Sequence, residues 1–270
     1  MSKEVKGGEK MTKSKGLEIT FNSVYTEYDK WRPGYVKELY DDIFEAKEIN
    51  ASSNVLEVGI GTGQATLPIL KTGCRLTAIE LGDKLAEFSR NKFKNYDKFN
   101  VENMMFEDFQ YVPNSFDLIF SATAFHWIPE DIGYTRVFDM LKSGGVFARF
   151  ANHPYKDKKR DAIHTAFESI YEKYMPGSLG GDEYSEENAK NISDIAYKYG
   201  FIDVTYRLYH RTRNFTADEY TSLLGTYSDH IAMEEATRMK FFNEIREAIN
   251  DNGGVITIYD TIDLQLAKKL

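Results

Sequence analysis

The segment Val55-Leu56-Glu57-Val58-Gly59-Ile60-Gly61-Thr62-Gly63-Gln64 constrains this chain more than any other stretch. A short apolar run with strand character enters a turn with glycines at three alternate positions, and a helical pattern follows. Glycine allows positive φ and lets a ligand approach the main chain. The following helix begins with N–H groups that have no partner within the helix. Such a strand–turn–helix is the opening unit of a doubly wound α/β sheet. The register excludes the dinucleotide fingerprint Gly-x-Gly-x-x-Gly: counted from Gly59 the third position is Gln64, and from Gly61 it is Thr66. No Gly-Lys-Ser/Thr follows, so the turn is not a nucleotide-triphosphate loop either.

Two acids sharpen the expectation. Glu57 stands just before the first glycine, at the strand end, where a carboxylate would repel a pyrophosphate and suit a cationic ligand. Glu80 ends the next strand, Arg75–Glu80, at the spacing of an acid that accepts hydrogen bonds from ribose hydroxyls. Each has a plain alternative: Glu57 as a cap on nearby backbone, Glu80 as a solvated strand end.

Strand and helix alternate from there. Strands are expected at Asn54–Val58, Arg75–Glu80, Val101–Phe106, Phe116–Ser121 and Val146–Ala151, with helices at Gln64–Thr72, Asp83–Tyr96 and Asp131–Leu141 between them. Asp83 reads as an N-cap, and Ser143-Gly144-Gly145 as the stop of the third helix. Upstream, Phe21–Trp31 and Tyr35–Ala46 read as helices. Beyond Asn152 the rhythm changes: helical patterns at Lys158–Tyr174, Glu186–Tyr199, Asp218–Ser228 and Met233–Asn250 interleave with strand-like Val204–Arg213 and Val255–Leu266. The expected architecture is a seven-stranded, mostly parallel, doubly wound sheet with an N-terminal lid and helical insertions in its second half. Its divisions are a disordered tail (1–18), lid helices (19–50), a ligand-binding core (51–152) and a C-terminal part carrying the cap and the last two strands (153–270).

These motifs resemble those of class I S-adenosylmethionine-dependent methyltransferases, most clearly from Tyr25 to about Asn152. Glu57-x-Gly59-x-Gly61-x-Gly63 resembles the family's first motif and Glu80 its ribose-binding acid. Asn114–Ile119 and Leu141–Gly145 resemble its fourth strand and the loop before its fifth. The resemblance implies S-adenosyl-L-methionine as cofactor, held by Glu57, Gly59, Gly61, Gly63, Glu80, Leu81 and Ser121. The family's usual adenine-binding acid aligns with Met105, leaving the Phe106 backbone and Glu107 to serve the ring. Tyr28-Asp29-Lys30-Trp31-Arg32-Pro33-Gly34-Tyr35 is similar to the lid helix of the branch that includes trans-aconitate methyltransferases. There Arg32 would pair with the methionine carboxylate and Tyr28 would shield the methyl group. Ser121–Trp127 resembles that branch's substrate-side turn. His126 is the candidate catalytic residue, as general base or as an orienting group, with a backbone-bonded histidine as the alternative. Tyr25, Phe125, Trp127, Tyr227 and His230 are candidate substrate contacts. Tyr227 and His230 read equally as stitches between the insert and the core.

The resemblance implies an enzyme that methylates a small molecule, with O-methylation of a carboxylate as the finer expectation. Two rivals stand: a non-catalytic S-adenosylmethionine-binding protein of the same fold, and an NAD-dependent oxidoreductase, which the glycine register and Glu57 disfavour. The formal net charge of −8 and pI near 5.3 argue against a duplex nucleic acid partner. The basic run Lys156–Arg160 reads as a solvated helix start. The chain has no Asn/Asp-Pro-Pro-Tyr motif after the fourth strand, and Cys74 has no preceding proline, so base methylation is not expected. With a single cysteine no intrachain disulfide forms, and with no signal core or apolar span a cytoplasmic protein with no membrane and no metal is expected.

Overall fold

The computed structural model describes residues 25–155, 162–178 and 182–270. The expected tail, the start of the lid and the Lys156–Arg160 run lie outside them. Seven strands form one sheet in the order β3-β2-β1-β4-β5-β7-β6. Strands β1 (Asn54–Val58), β2 (Arg75–Glu80), β3 (Phe99–Asn103), β4 (Phe116–Ala122) and β5 (Leu141–Tyr155) run parallel to their neighbours. The last strand, β7 (Val255–Lys268), inserts antiparallel between β5 and the edge strand β6 (Ile202–Thr216). The sheet reverses its strand order between β1 and β4, and a crevice at the C-terminal ends of these strands is where such folds bind ligands.

The first-half helices are α1 (Tyr25–Trp31), α2 (Lys37–Ala46), α3 (Thr66–Leu70), α4 (Asp83–Lys92) and α5 (Glu130–Met140). They cover both faces, which is why β1 and β4 are buried almost continuously rather than at alternate residues. Leu39, Ile43 and Ile69 bury one face with Leu76, Leu118 and Phe150. Phe125, Tyr134 and Val137 bury the other with Leu56, Ile119 and Phe147. A third cluster lies in the second half. Here α6 (Ala162–Tyr174), α8 (Ala217–Leu224) and α10 (Glu235–Asp251) pack Phe167, Tyr220, Leu223, Phe241 and Ile245 into a cap. Two further helices, α7 (Glu186–Ser193) and the one-turn α9 (Ser228–Ile231), complete this half. Capping boxes start α7 (Ser185 with Asn188) and α8 (Thr216 with Glu219), so those boundaries are written locally.

Some boundaries differ from the sequence reading. Gly82, not Asp83, occupies the N-cap of α4, because Glu80 holds the Gly82 N–H and fixes the entry. Helix α5 stops at Met140 without waiting for the glycines; Leu141 is already extended and pairs with Phe116, so β5 absorbs Ser143-Gly144-Gly145. Strand β3 begins earlier and ends before Met104. Among the described residues no helix is long and apolar enough to cross a membrane, and no group of three or more His, Cys, Asp or Glu could hold a metal.

Candidate active site

The glycine turn is shaped by its neighbours. The Gly59 N–H donates to the Ile79 carbonyl (2.9 Å), carrying the chain from the end of β1 across to β2. Glu80 accepts from the Gly61 N–H through Oε2 (2.8 Å) and from the Gly82 N–H through Oε1 (2.9 Å), so one carboxylate ties the turn to the start of α4. Gly59 has φ +75°, and a Cβ there would lie 2.4 Å from the Ala124 Cβ. Only glycine lets the ends of β1 and β4 approach so closely.

A cavity of about 220 Å³ opens over this turn. Its sheet side comprises Glu57, Gly59, Gly61, Glu80, Leu81, Phe106 and Glu107; Tyr28 and Arg32 close it from the N-terminal helix, and Thr123 and Trp127 from the turn after β4. Glu57 is 1% exposed, and the Thr66 hydroxyl donates to its Oε2 (2.8 Å). Burial pushes the Glu57 carboxyl up to about 8, against the Thr66 hydrogen bond and with help from the charge of Glu80. Glu80 is also raised by burial, although the Gly82, Gly61 and Leu81 N–H groups oppose it. Two buried acids on one wall can accept from hydroxyls and balance a cation. Ile79, Leu85, Met104 and Phe106 add an apolar shelf for a flat ring. These groups fit the ammonium, ribose and base of S-adenosylmethionine.

Arg32 spans the lid and the cap. Its Nε donates to the Thr226 hydroxyl (2.9 Å) and its Nη2 to the Thr226 carbonyl (2.8 Å), and its guanidinium lies 4.1 Å from the Tyr227 ring centre and 5.0 Å from that of Tyr28. A second cavity of about 470 Å³ adjoins the first, sharing Tyr28, Arg32, Thr123, Trp127, Pro154 and Tyr227. His126, Tyr171, Tyr220, Asp229 and His230 also line it. The structure thus brings His126 and His230, 104 positions apart in the sequence, to the lining of one cavity.

Four expected site residues lie outside the walls of both cavities. Gly63 (φ +82°) faces the core, where a Cβ would meet the Phe93 ring at 2.4 Å. Ser121 is fully buried and donates to the Val58 carbonyl (2.8 Å), joining β4 to β1. Phe125 packs beneath the turn against Tyr134 and Phe147. Tyr25 packs on Phe88 of α4, with ring centres 5.6 Å apart. These side chains shape the walls from behind.

Sequence reasoning missed Arg213 and Asn152, which extend the first cavity toward the cap. Arg213 grips the buried Asp260 through Nε (2.5 Å) and Nη2 (2.8 Å). Arg211 reaches the same carboxylate (3.1 Å) and the Asn152 side chain (3.0 Å). Two guanidiniums thus share one buried acid at this end. The signal was present: Tyr209, Arg211, Arg213 and Phe215 alternate along β6, which places both arginines on the same face.

The comparisons with known proteins agree with this fold. The profile of the methyltransferase domain family matches residues 55–145, from the core of β1 to the glycines of β5. A methyltransferase of Bacillus mycoides is 32% identical over 159 residues, spanning 53% of this chain and 74% of the relative. One of Schizosaccharomyces pombe is 23% identical over 226 residues, covering 82% and 84%. Among solved structures, a protein of Anaeromyxobacter dehalogenans assigned as a type II methyltransferase superposes with TM-score 0.61 at 17% identity, covering 88% of this chain and 97% of that one. The phosphoethanolamine N-methyltransferase 2 of Haemonchus contortus, in complex with S-adenosylhomocysteine, gives 0.53 at 16% identity over 92% and 57%. With its glycine turn, paired acids and seven-stranded sheet, the chain belongs to the class I S-adenosylmethionine-dependent methyltransferases, enzymes with S-adenosyl-L-methionine as cofactor.

Proposed function

We propose that this enzyme methylates an oxygen of a small carboxylic acid. The observation that carries the reading is Arg213 in the cavity wall: a cation beside the glycine turn's cavity, at the end away from Glu57 and Glu80. A carboxylate anchored there gains a charge-assisted hydrogen bond that a neutral acceptor would lack. The resemblance of the lid and turn strings to the trans-aconitate branch points the same way.

S-adenosylmethionine, when bound, supplies a methyl group already activated on a sulfonium. The chain's residues then hold, orient and exclude water. We assign the cofactor's ammonium to Glu57, its ribose to Glu80, its backbone contacts to Gly59, Gly61 and Leu81, and its base to the shelf at Phe106 and Glu107. Arg32 would serve the methionine carboxylate by exchanging part of its hold on Thr226. Tyr28, Trp127 and Tyr227 offer π faces at the junction of the two cavities, where a sulfonium gains cation–π stabilisation. His126 orients the acceptor from the mouth of the second cavity. In this scheme residues 51–152 supply most of the cofactor contacts, the lid closes over the cofactor, and 153–270 contribute most of the acceptor's surroundings.

The test is turnover of small di- and tricarboxylates, trans-aconitate among them, read as S-adenosylhomocysteine formed. Arg213→Gln should raise KM by roughly 10- to 100-fold, the worth of one charged hydrogen bond, with unchanged affinity for S-adenosylmethionine. Equal turnover of the neutral amides of the same acids refutes the reading.

A further inference from the structure

The second cavity holds a hydrogen-bonded chain of three side chains that carboxylate methylation does not need. Asp229 Oδ1 lies 2.7 Å from His230 Nδ1 and also accepts from the His230 backbone N–H (2.9 Å). A carboxylate on Nδ1 fixes the proton there and leaves the lone pair on Nε2. That nitrogen lies 3.3 Å from the Tyr171 hydroxyl, so the hydroxyl donates to it. The histidine is buried and held in orientation by the Tyr227, Phe241 and Phe242 rings. Tyr171 is held by Phe167 and Phe241 and lines the cavity. The order acid, imidazole, hydroxyl, in the wall of a cavity, is that of an activated proton acceptor. Burial would raise the Asp229 carboxyl, yet the His230 bonds hold it below the usual range, so the acid end stays charged.

Resting on the reading of a small carboxylic acid, we infer that the methylated oxygen is a hydroxyl of that acid, phenolic or aliphatic, and that Tyr171 takes its proton. As the hydroxyl oxygen bonds to the methyl carbon, the carbon–sulfur bond breaks and its electron pair returns to sulfur. The hydroxyl proton passes to the Tyr171 oxygen, and the Tyr171 proton passes to His230 Nε2. The product is a methyl ether, with an imidazolium paired to Asp229 that releases its proton to solvent. Tyr171 is the catalytic residue; His230 and Asp229 are positioning residues that act through it. Arg213 lines the first cavity and the relay lines the adjoining one, so the acid anchors while the hydroxyl reacts.

The experiment uses methyl-labelled S-adenosylmethionine with 4-hydroxybenzoate, salicylate, malate and citrate, each beside its deoxy counterpart, and 4-cresol as a phenol without a carboxylate. Products are treated with mild alkali, which cleaves methyl esters and spares ethers. The expected result is alkali-stable label from at least one hydroxy acid and none from its deoxy form. Tyr171→Phe keeps the ring packing and should lower kcat by about 10²-fold with KM little changed. Asp229→Asn should lower kcat and move its pH profile, whereas a merely structural contact would move neither. Nitrogen-15 spectra of the ligand-free protein, assigned with His230→Gln, should show His230 protonated on Nδ1, a readout independent of turnover. Alkali-labile label, an Nε2-protonated His230, or loss of label in His126→Asn but not in Tyr171→Phe overturns the inference while the carboxylic acid reading stands. Alkali-stable labelling of 4-cresol as efficient as that of the hydroxy acids sinks the carboxylic acid reading and leaves the relay. No label from any acid sinks both.

Discussion

Replacing Glu57 by glutamine should stabilise the ligand-free protein while weakening its hold on the cofactor. Glu57 is fully buried, keeps one hydrogen bond from Thr66 and carries a carboxyl raised from 4.5 to about 8. Because its folded value lies above its unfolded one, the native state binds the proton more tightly. The stability this contributes is complete below about pH 4.5 and is lost as the pH rises through about 8. Each tenfold change in proton affinity is worth about 1.4 kcal/mol. Between pH 5.5 and pH 8 the wild type should therefore lose about 3 kcal/mol relative to Glu57→Gln, which has the same shape, keeps the Thr66 bond and does not titrate. Urea denaturation of both proteins at several pH values measures this gap directly. Binding should change in the opposite sense. A cofactor ammonium reaching Glu57 ionises it, so titration calorimetry near pH 6.5 in buffers of different ionisation enthalpy should show close to one proton released by wild type and none by Glu57→Gln. The variant should also bind about 10- to 100-fold more weakly, the loss of one charged hydrogen bond. A stability gap independent of pH, or equal proton release by both proteins, would refute the assignment of a neutral, buried Glu57 in the empty site.

Three further perturbations follow from the same wall and its surroundings. Glu80→Ala removes the clamp on Gly61 and Gly82 together with the proposed ribose acceptor, so calorimetry should show a loss of roughly 1–3 kcal/mol for both S-adenosylmethionine and S-adenosylhomocysteine. Gly59→Ala places a Cβ 2.4 Å from that of Ala124 at φ +75°; chemical denaturation should report a cost of about 1–3 kcal/mol, and adding Ala124→Gly should recover the steric part but not the backbone part. Asp260→Asn leaves Arg211 and Arg213 facing each other without their shared buried acid, and should cost about 3–5 kcal/mol in denaturation midpoint analysis.

The parts of the fold that were legible in the sequence are those whose signals are local. The glycine turn and the strand ends at Glu57 and Glu80 depend on residues close in the chain; the capping boxes of α7 and α8 are just as local but went unread. Boundaries went astray where a side-chain contact or a pairing strand, rather than helical periodicity, decides them. Gly82 is the N-cap of α4 because Glu80 turns back onto it, and Leu141 leaves α5 early because Phe116 is there to pair with. The site followed the same division. Glu57, Gly59, Gly61 and Glu80, expected at a ligand site from their spacing, line the first cavity. Ser121 and Phe125 occupy positions next to the cavity, but their side chains turn into the sheet, and only the packing of β4 on β1 and of the turn on α5 decides that. Arg213 and Tyr171 were passed over because neither sits in a motif. Each reaches the site through elements, β6 and α6, whose approach to the glycine turn is set by the cap.

The division of labour between the two halves follows from where buried charge is placed. The sheet half concentrates acids, Glu57 and Glu80, which are costly to ionise in the empty site and are relieved by a cationic ligand. The cap half concentrates arginines around Asp260 and contributes Arg32's partner, Thr226. A ligand positive at one end and a ligand negative at the other would therefore enter in opposite orientations, each repelled from the other's wall. Since the two cavities share Tyr28, Arg32 and Tyr227, seating the first ligand changes the wall that the second one meets. If Arg32 trades Thr226 for the cofactor's carboxylate, the cap loses a tie to the lid as the cofactor binds. Acceptor affinity should then differ between the empty and the S-adenosylhomocysteine-loaded protein, and by linkage the acceptor must shift cofactor affinity by the same factor. In Arg32→Lys, which cannot reproduce the forked contact to Thr226, that mutual factor should shrink toward one.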